Sequence, residues 1–260
     1  MPILKTMTIN LRYDNPADGS NQWSLRKQAV AALITELTPD IFGTQEGWED
    51  QIKELQELLP AYRYYVTPPE WNRKRMFPCV WVRKEMEVKE HRTFWLSPTP
   101  SIPFSKAWNS AFPRSATYVI GQRNKSSFIF ISTHLDNISA EARLHQAAVL
   151  CQQVEQINTA SYPVILVGDF NTSPQSNVHK LLTSKSNLAN IKGNFIDVWE
   201  YLKKTEESTF HSFTGQGMRG RIDWILVSPN VKIKQAIIIK QTFMGRYPSD
   251  HFPVMAELEI

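Results

Sequence analysis

What most constrains the fold is an uneven rhythm of strand and helix patterns along the chain. Residues 3–11 alternate like a strand, and Trp23–Leu37 carries a helical stripe of Ala29, Val30, Leu33, Ile34 and Leu37. Residues 40–45 form a short apolar strand pattern, and 51–59 a helix that Pro60 ends. Residues 62–66, 79–82, 88–96, 116–121 and 128–134 then read as strands with no helix between them. Ala140–Ile157 is the longest helical pattern, with Ser139 as its N-cap. Residues 164–168 read as a buried strand, 178–182 as a short helix, and 222–227, 231–240 and 254–260 as closing strands. A purely parallel sheet needs a long crossover between every pair of neighbouring strands, whereas strands joined directly pair antiparallel. Both kinds of connection occur here. The expectation is α/β: a four-layer α/β/β/α sandwich of two mixed β-sheets packed face to face, with helices outside.

Composition narrows the class. Of 260 residues, 42% are hydrophobic and 21% charged, which excludes disorder or coiled coil as a description of the whole. One α/β domain spanning residues 1–260 is the expectation at this length. The net charge of +4 permits a polyanionic partner without requiring one. Cys79 and Cys151 cannot build a disulfide framework or a four-cysteine zinc site, so they read as buried, reduced thiols. The first residues lack the apolar core of a signal peptide, and no apolar run approaches a membrane span. The expected protein is a cytoplasmic monomer with no membrane partner.

Chemistry-bearing residues collect at strand ends. The first strand ends at Asn10, the second at Glu46, and residues 128–134 run into His134 and Asp136. Residues 164–168 run into Asp169 and Asn171, Asp223 sits near the start of its strand, and Asp250-His251 precedes the last strand. A single polar strand end is ordinary turn or cap chemistry. Six of them on one rim would gather carboxylates, amides and imidazoles in one place. Asp169 and Asn171 are two apart and share a side in extended backbone, as do His134 and Asp136. Hard oxygen donors of this kind suit Mg²⁺, Mn²⁺ or Ca²⁺, not zinc.

Taken in order, Asn10, GTQE at Glu46, STHLD at His134, GDFN at Asp169, RIDWILVS at Asp223 and SDHFPV at Asp250 resemble the endonuclease/exonuclease/phosphatase (DNase I-like) superfamily. RTFWLSPTP at 92–100 and TFHSFTG at 209–215 are most similar to a bacterial subgroup near the carbon-catabolite-repressor and nocturnin-type deadenylases. The resemblance implies metal-dependent hydrolysis of phosphodiesters by in-line attack of water. It makes Glu46 the principal metal ligand, with Asp250 and Asn10 near the same ion, Mg²⁺ or Mn²⁺ first and Ca²⁺ as an alternative. It makes Asp169 the group that orients and deprotonates the water, with Asn171 holding the water or a phosphate oxygen. Asp223 would favour a charged His251 that donates to a non-bridging oxygen, and His134 would donate beside it. Where apurinic endonucleases carry an acid two residues after the first Asn, this chain has Arg12, which suggests phosphate binding. Asn137 replaces a histidine frequent in the subgroup and is not counted as catalytic.

Arg12, Arg114, Asp136 and His211 are the expected substrate contacts. For Arg114 a surface ion pair, and for His211 ordinary loop hydrogen bonding, are the alternatives. Arg143 reads as a solvated helix residue, although it could reach back toward His134 and Asp136. His91, His145 and His179 match no motif and read as structural. Residues 71–77 mix bases with aromatics, as single-stranded nucleic acid binding requires, but a basic surface loop has the same composition. The eight tryptophans read mainly as core. The first functional expectation is a nuclease acting on nucleic acid, with 3′–5′ exoribonuclease activity as the nearest branch. The alternative is a hydrolase of small-molecule, sugar or lipid phosphoesters. The third is a binding module of the same fold without catalysis.

Overall fold

The structure is a computed structural model that describes residues 3–67 and 76–260. It contains β1 (Ile3–Asn10), α1 (Trp23–Leu37), β2 (Ile41–Gln45), α2 (Glu49–Leu58), β3 (Tyr62–Tyr65), β4 (Cys79–Arg83), β5 (Glu87–Trp95), β6 (Ser115–Arg123) and β7 (Ser126–His134). It continues through α3 (Ala140–Ile157), β8 (Val164–Asp169), α4 (Asn177–Leu182), β9 (Ile196–Asp197), α5 (Val198–Tyr201), β10 (Asp223–Val227), β11 (Lys232–Ile238) and β12 (Val254–Glu259). Both long helices keep the expected limits, and Ser139 accepts from the Ala142 N–H as the N-cap of α3. The pair β9–α5 and a 3₁₀ turn at Pro16–Asn21 are additions to the sequence reading.

Two six-stranded sheets form, in the orders β11-β12-β1-β2-β4-β3 and β5-β6-β7-β8-β10-β9. Each has one parallel pair, β1–β2 across α1 and β7–β8 across α3, and its other pairs are antiparallel. The two sheets therefore follow one plan twice. Three apolar clusters give the four layers. Leu4, Phe130, Val167, Ile225 and Val254 pack between the sheets. Ile131, Leu166 and Phe170 pack under α3 and α4, and Met7, Phe42 and Trp81 under α1 and α2. The sheets approach closely: a side chain at Gly43 would meet Ser132 Oγ and Val167 Cγ2 at 2.7 Å. The stripe on α1 is buried at Ala29, Val30, Leu33 and Ile34, as the spacing predicts.

Cys79 and Cys151 are free and buried, and burial raises both thiols. Among the described residues no helix is long and apolar enough to cross a membrane. Residues 71–75 of the basic–aromatic stretch lie outside the described residues.

Candidate active site

Four strands end, and two begin, on one rim. β1 ends at Asn10, β2 leads to Glu46, β7 ends at His134 and β8 at Asp169, while β10 begins at Asp223 and His251 precedes β12. The local backbone is built for this. A Cβ on Gly168 would lie 2.0 Å from the Thr133 carbonyl oxygen, so only glycine lets β8 approach β7 closely enough to set Asp169 beside His134. Glu46 and Asn171 both adopt left-handed backbone, φ 62° and 52°, which turns their side chains back over the strand ends.

Asn10 joins the two sheets. Its Nδ2 donates to Glu46 Oε1 at 3.1 Å and to Asp169 Oδ2 at 3.1 Å. Its Oδ1 accepts from the Arg12 N–H at 2.9 Å. Asn10 thus sits between the carboxylates of Glu46 and Asp169, beside the groups expected at the metal. Asp169 Oδ1 accepts from the Asn171 N–H at 2.8 Å, and Oδ2 faces His134 Nε2 at 3.5 Å. Asn171 Nδ2 lies 3.0 Å from His134 Nε2 and donates to the Leu135 carbonyl. Burial pushes Asp169 up to about 7; the Asp223 charge adds to that and the His251 charge opposes it.

His251 Nδ1 lies 2.9 Å from Asp223 Oδ2. Burial works against its charge, yet the Asp223 carboxylate, with Asp250 and Asp169, raises His251 well above the ordinary imidazole range. That direction favours the charged imidazole beside Asp223. Thr209 Oγ1 holds the strand start by accepting from the N–H groups of Ile222 and Asp223. His134 behaves oppositely: burial, then the Arg114 and His251 charges, hold it well below its ordinary range. It is a neutral imidazole and brings one N–H rather than a charge.

The donor set fits a hard divalent cation. Among the described residues, the ligand atoms of Glu46, His134 and Asp169 all lie within 4.8 Å of one another, as do those of Asp169, Asp223 and His251, although a charged His251 leaves that second set to its two carboxylates. Asp223 Oδ1 is buried with no partner, as expected of an oxygen set aside for a ligand. Asp250 lines the same cleft but belongs to neither triplet, and its Oδ2 lies 3.8 Å from Arg12 Nε.

The expected substrate contacts divide. Arg12 pairs with Asp18 through Nε and Nη2 at 2.9 and 2.8 Å, a pairing that raises its pKa, and it still borders the cleft. Arg114 borders the cleft too; its Nη2 donates to Asn137 Oδ1 at 2.9 Å, while its buried Nε has no hydrogen-bond partner. Asp136 is a correction. It is fully buried, and its two oxygens accept from Ser110 Oγ and the N–H groups of Ala111, Ile138 and Ser139, so it anchors loops. His211 is another. It is fully buried, stacked on Phe252 at 3.8 Å, and its Nδ1 accepts from the Gly215 N–H. Burial pushes it down to about 4. Arg143 does reach back, to the Asp136 carbonyl at 2.9 Å. His91, His145 and His179 pack in structural settings against Tyr65, Trp108 and Asp197.

Three features escaped the sequence reading. Asn137, set aside there, borders the cleft. Arg26 is buried and donates to the carbonyls of Leu11, Arg12 and Pro248, tying the loop after β1 to the loop that carries Asp250. It sits on the buried stripe of α1, and a charge there was the signal. The third is a second lobe of the cleft, about 500 Å³, which shares Arg12, Glu46 and Asn137 with the polar lobe and is otherwise mostly aromatic. No periodic signal in the sequence marks it.

Comparison with known proteins agrees with this geometry. The model of the Endonuclease/Exonuclease/phosphatase family matches residues 7–251. The chain is 25% identical, over 88% of its length, to a probable CCR4-Not complex 3′-5′-exoribonuclease subunit Ccr4 of Vairimorpha ceranae, and spans 55% of that relative. It is 30% identical to a mannosyl-6-phosphatase of Bacteroides thetaiotaomicron, with a TM-score of 0.89, over 99% of this chain and 100% of the other. The human Nocturnin catalytic domain shares the fold at a TM-score of 0.76 and 20% identity, over 99% and 93% of the two chains.

Proposed function

The chain belongs to the endonuclease/exonuclease/phosphatase family, whose members are phosphoric ester hydrolases, and from that premise we propose that it hydrolyses a small phosphoester with water as the nucleophile and a divalent cation, Mg²⁺ or Mn²⁺, as cofactor. The observation that carries this reading is the convergence of Glu46, Asp169, Asn171 and the Asp223–His251 pair around one cleft. When bound, the cation supplies charge neutralisation at the phosphate and polarisation of the leaving oxygen. Glu46 would hold it, with Asp250 nearby. Asp169, its basicity raised by burial, takes the proton of a water that Asn171 orients. His251, kept charged by Asp223, donates to a non-bridging oxygen as charge builds there. Arg114, whose Nε lies 3.8 Å from Asp136 Oδ2 without a hydrogen bond, brings a cation to the edge of the cleft.

Two observations support a small substrate. Among the solved structures that match over nearly the whole of both chains, a mannosyl-6-phosphatase is 30% identical to this one. The cleft also spends one cation internally, since Arg12 is paired with Asp18, and a polyanion would favour free ones. The nuclease reading stands second, supported by the likeness to the Ccr4 subunit.

The test is phosphate release from hexose phosphates, run beside end-labelled single-stranded RNA, with Mg²⁺ or Mn²⁺ and with Glu46→Ala as control. Phosphate release that the variant abolishes supports the first reading. Stepwise shortening of RNA that the variant abolishes moves the assignment to the second.

A further inference from the structure

The cleft has two lobes of different chemistry. Asp169, Asn171, Asp250 and His251 line only the polar lobe, while Glu46, Arg12 and Asn137 border both. The other lobe, about 500 Å³, is walled by Tyr13, Trp48, Phe77, Trp95, Phe104 and Phe112, with Arg114 and His134 where it meets the rim. Its rings brace one another: Trp95 meets Phe104 edge-on at 5.6 Å, and Tyr13 meets Trp48 edge-on at 6.3 Å. Phe112 is 55% exposed, a large apolar side chain left facing water beside a catalytic rim.

In-line displacement fixes what this lobe receives. The attacking water and the leaving oxygen lie on opposite sides of phosphorus. On the proposed mechanism the water is held by Asp169 and Asn171 in the polar lobe, so the leaving group would point away from them, toward the aromatic one. We infer that this lobe is the leaving-group pocket and that it takes a single ring-bearing alcohol, a sugar or a nucleoside, one ring face lying on the aromatic wall. Its volume falls within the range of pockets for small molecules. Flat aromatic walls reward a rigid ring face over a flexible chain.

The inference rests on the proposed hydrolysis, and the experiment separates the two. The full chain with Mg²⁺ is assayed on a hexose phosphate, a nucleoside monophosphate and glycerol phosphate, with wild type, Phe112→Ala and Phe112→Leu. In parallel, tryptophan fluorescence is followed during titration with the hexose and the nucleoside alone, since Trp48 and Trp95 face the lobe. At least one ring-bearing ester should exceed glycerol phosphate in kcat/KM by about tenfold or more, and Phe112→Ala should erase most of that ratio by raising KM. Phe112→Leu should restore less than half of it, because the apolar bulk returns without the ring face. The ring class that wins tells sugar from nucleoside. Equal efficiency on ring-bearing and ring-free esters, or a ratio unmoved by Phe112→Ala, would overturn the inference. Absence of any hydrolysis dependent on Glu46 would overturn the hydrolase reading instead. In that case a fluorescence change that Phe112→Ala weakens keeps the pocket, and no change removes it.

Discussion

The two sheets are built to one plan and end differently. Matched strand for strand, β1 corresponds to β7, β2 to β8, β4 to β10 and β12 to β6. At the rim, Asn10 stands opposite His134 and Glu46 opposite Asp169, and the Asp250-His251 turn before β12 matches Arg114 before β6. The plan breaks at one pair. β10 begins with Asp223, which charges His251, whereas β4 begins with Cys79 after Phe77 and Pro78, which floor the aromatic lobe. One scaffold used twice thus leaves a carboxylate–imidazole pair at one strand start and an apolar run at its counterpart, the contrast on which the proposed division between polar and aromatic lobes rests.

Substitutions can sharpen or break that contrast. Asp169→Asn keeps the shape and removes the base; kcat should fall by about 10³ or more, with KM and the thermal midpoint little changed, as steady-state rates and a melt would show. A KM effect alone would place Asp169 on the recognition side.

The next effect in size tests the brace behind Asp223. Arg221 is buried, pairs with Asp197 at 2.9 Å and with Glu206, and leads directly into Asp223; His179 Nε2 meets the same Asp197 oxygen at 2.9 Å. Asp197→Asn should cost about 3 kcal/mol in a denaturant titration, because it leaves a buried guanidinium underpaired. Burial opposes the Asp197 charge, but His179 and Arg221 hold its folded pKa below the ordinary carboxylate range. The wild type therefore binds fewer protons folded than unfolded in that window. The contribution is full above the ordinary carboxylate pKa and is lost as pH falls from there down through the lowered folded pKa. The variant's acid limb should flatten there.

Asp223→Asn should lower kcat by about 10² through loss of the charged His251, with folding intact. Phe112→Ala comes last, at about tenfold and in KM alone. If the variants at Asp223 and Phe112 changed the same kinetic constant, the division between lobes would fail.

The sequence carried the strand ends well because glycine, amide and carboxylate must stand there whatever surrounds them. GDFN needs Gly168 for the approach to Thr133. It was silent where partners come from afar. Asp136 looked like a rim residue because it shares a side with His134 on paper, but the chain leaves the strand after His134 and turns the carboxylate onto loop N–H groups. The Asp18 partner of Arg12 lies in a 3₁₀ turn that no periodicity announces. The short β9–α5 pair is set by its pairing with β10 as well as by Asp197, which caps α5, and neither element is long enough to show a period.

The placement of β12 between β1 and β11 also sets the order in which such a molecule can assemble. Sheet β5-β6-β7-β8 joins near neighbours and one crossover, while β1 pairs Ile3 with Glu259 and Thr8 with Val254. Closing the longer loop costs more entropy before any contact repays it, so the pairing of greatest separation forms slowly. Asp250 and His251 sit just before β12, so the rim is complete only once that strand has paired with β1, and the onset of activity in a refolding experiment would time that pairing.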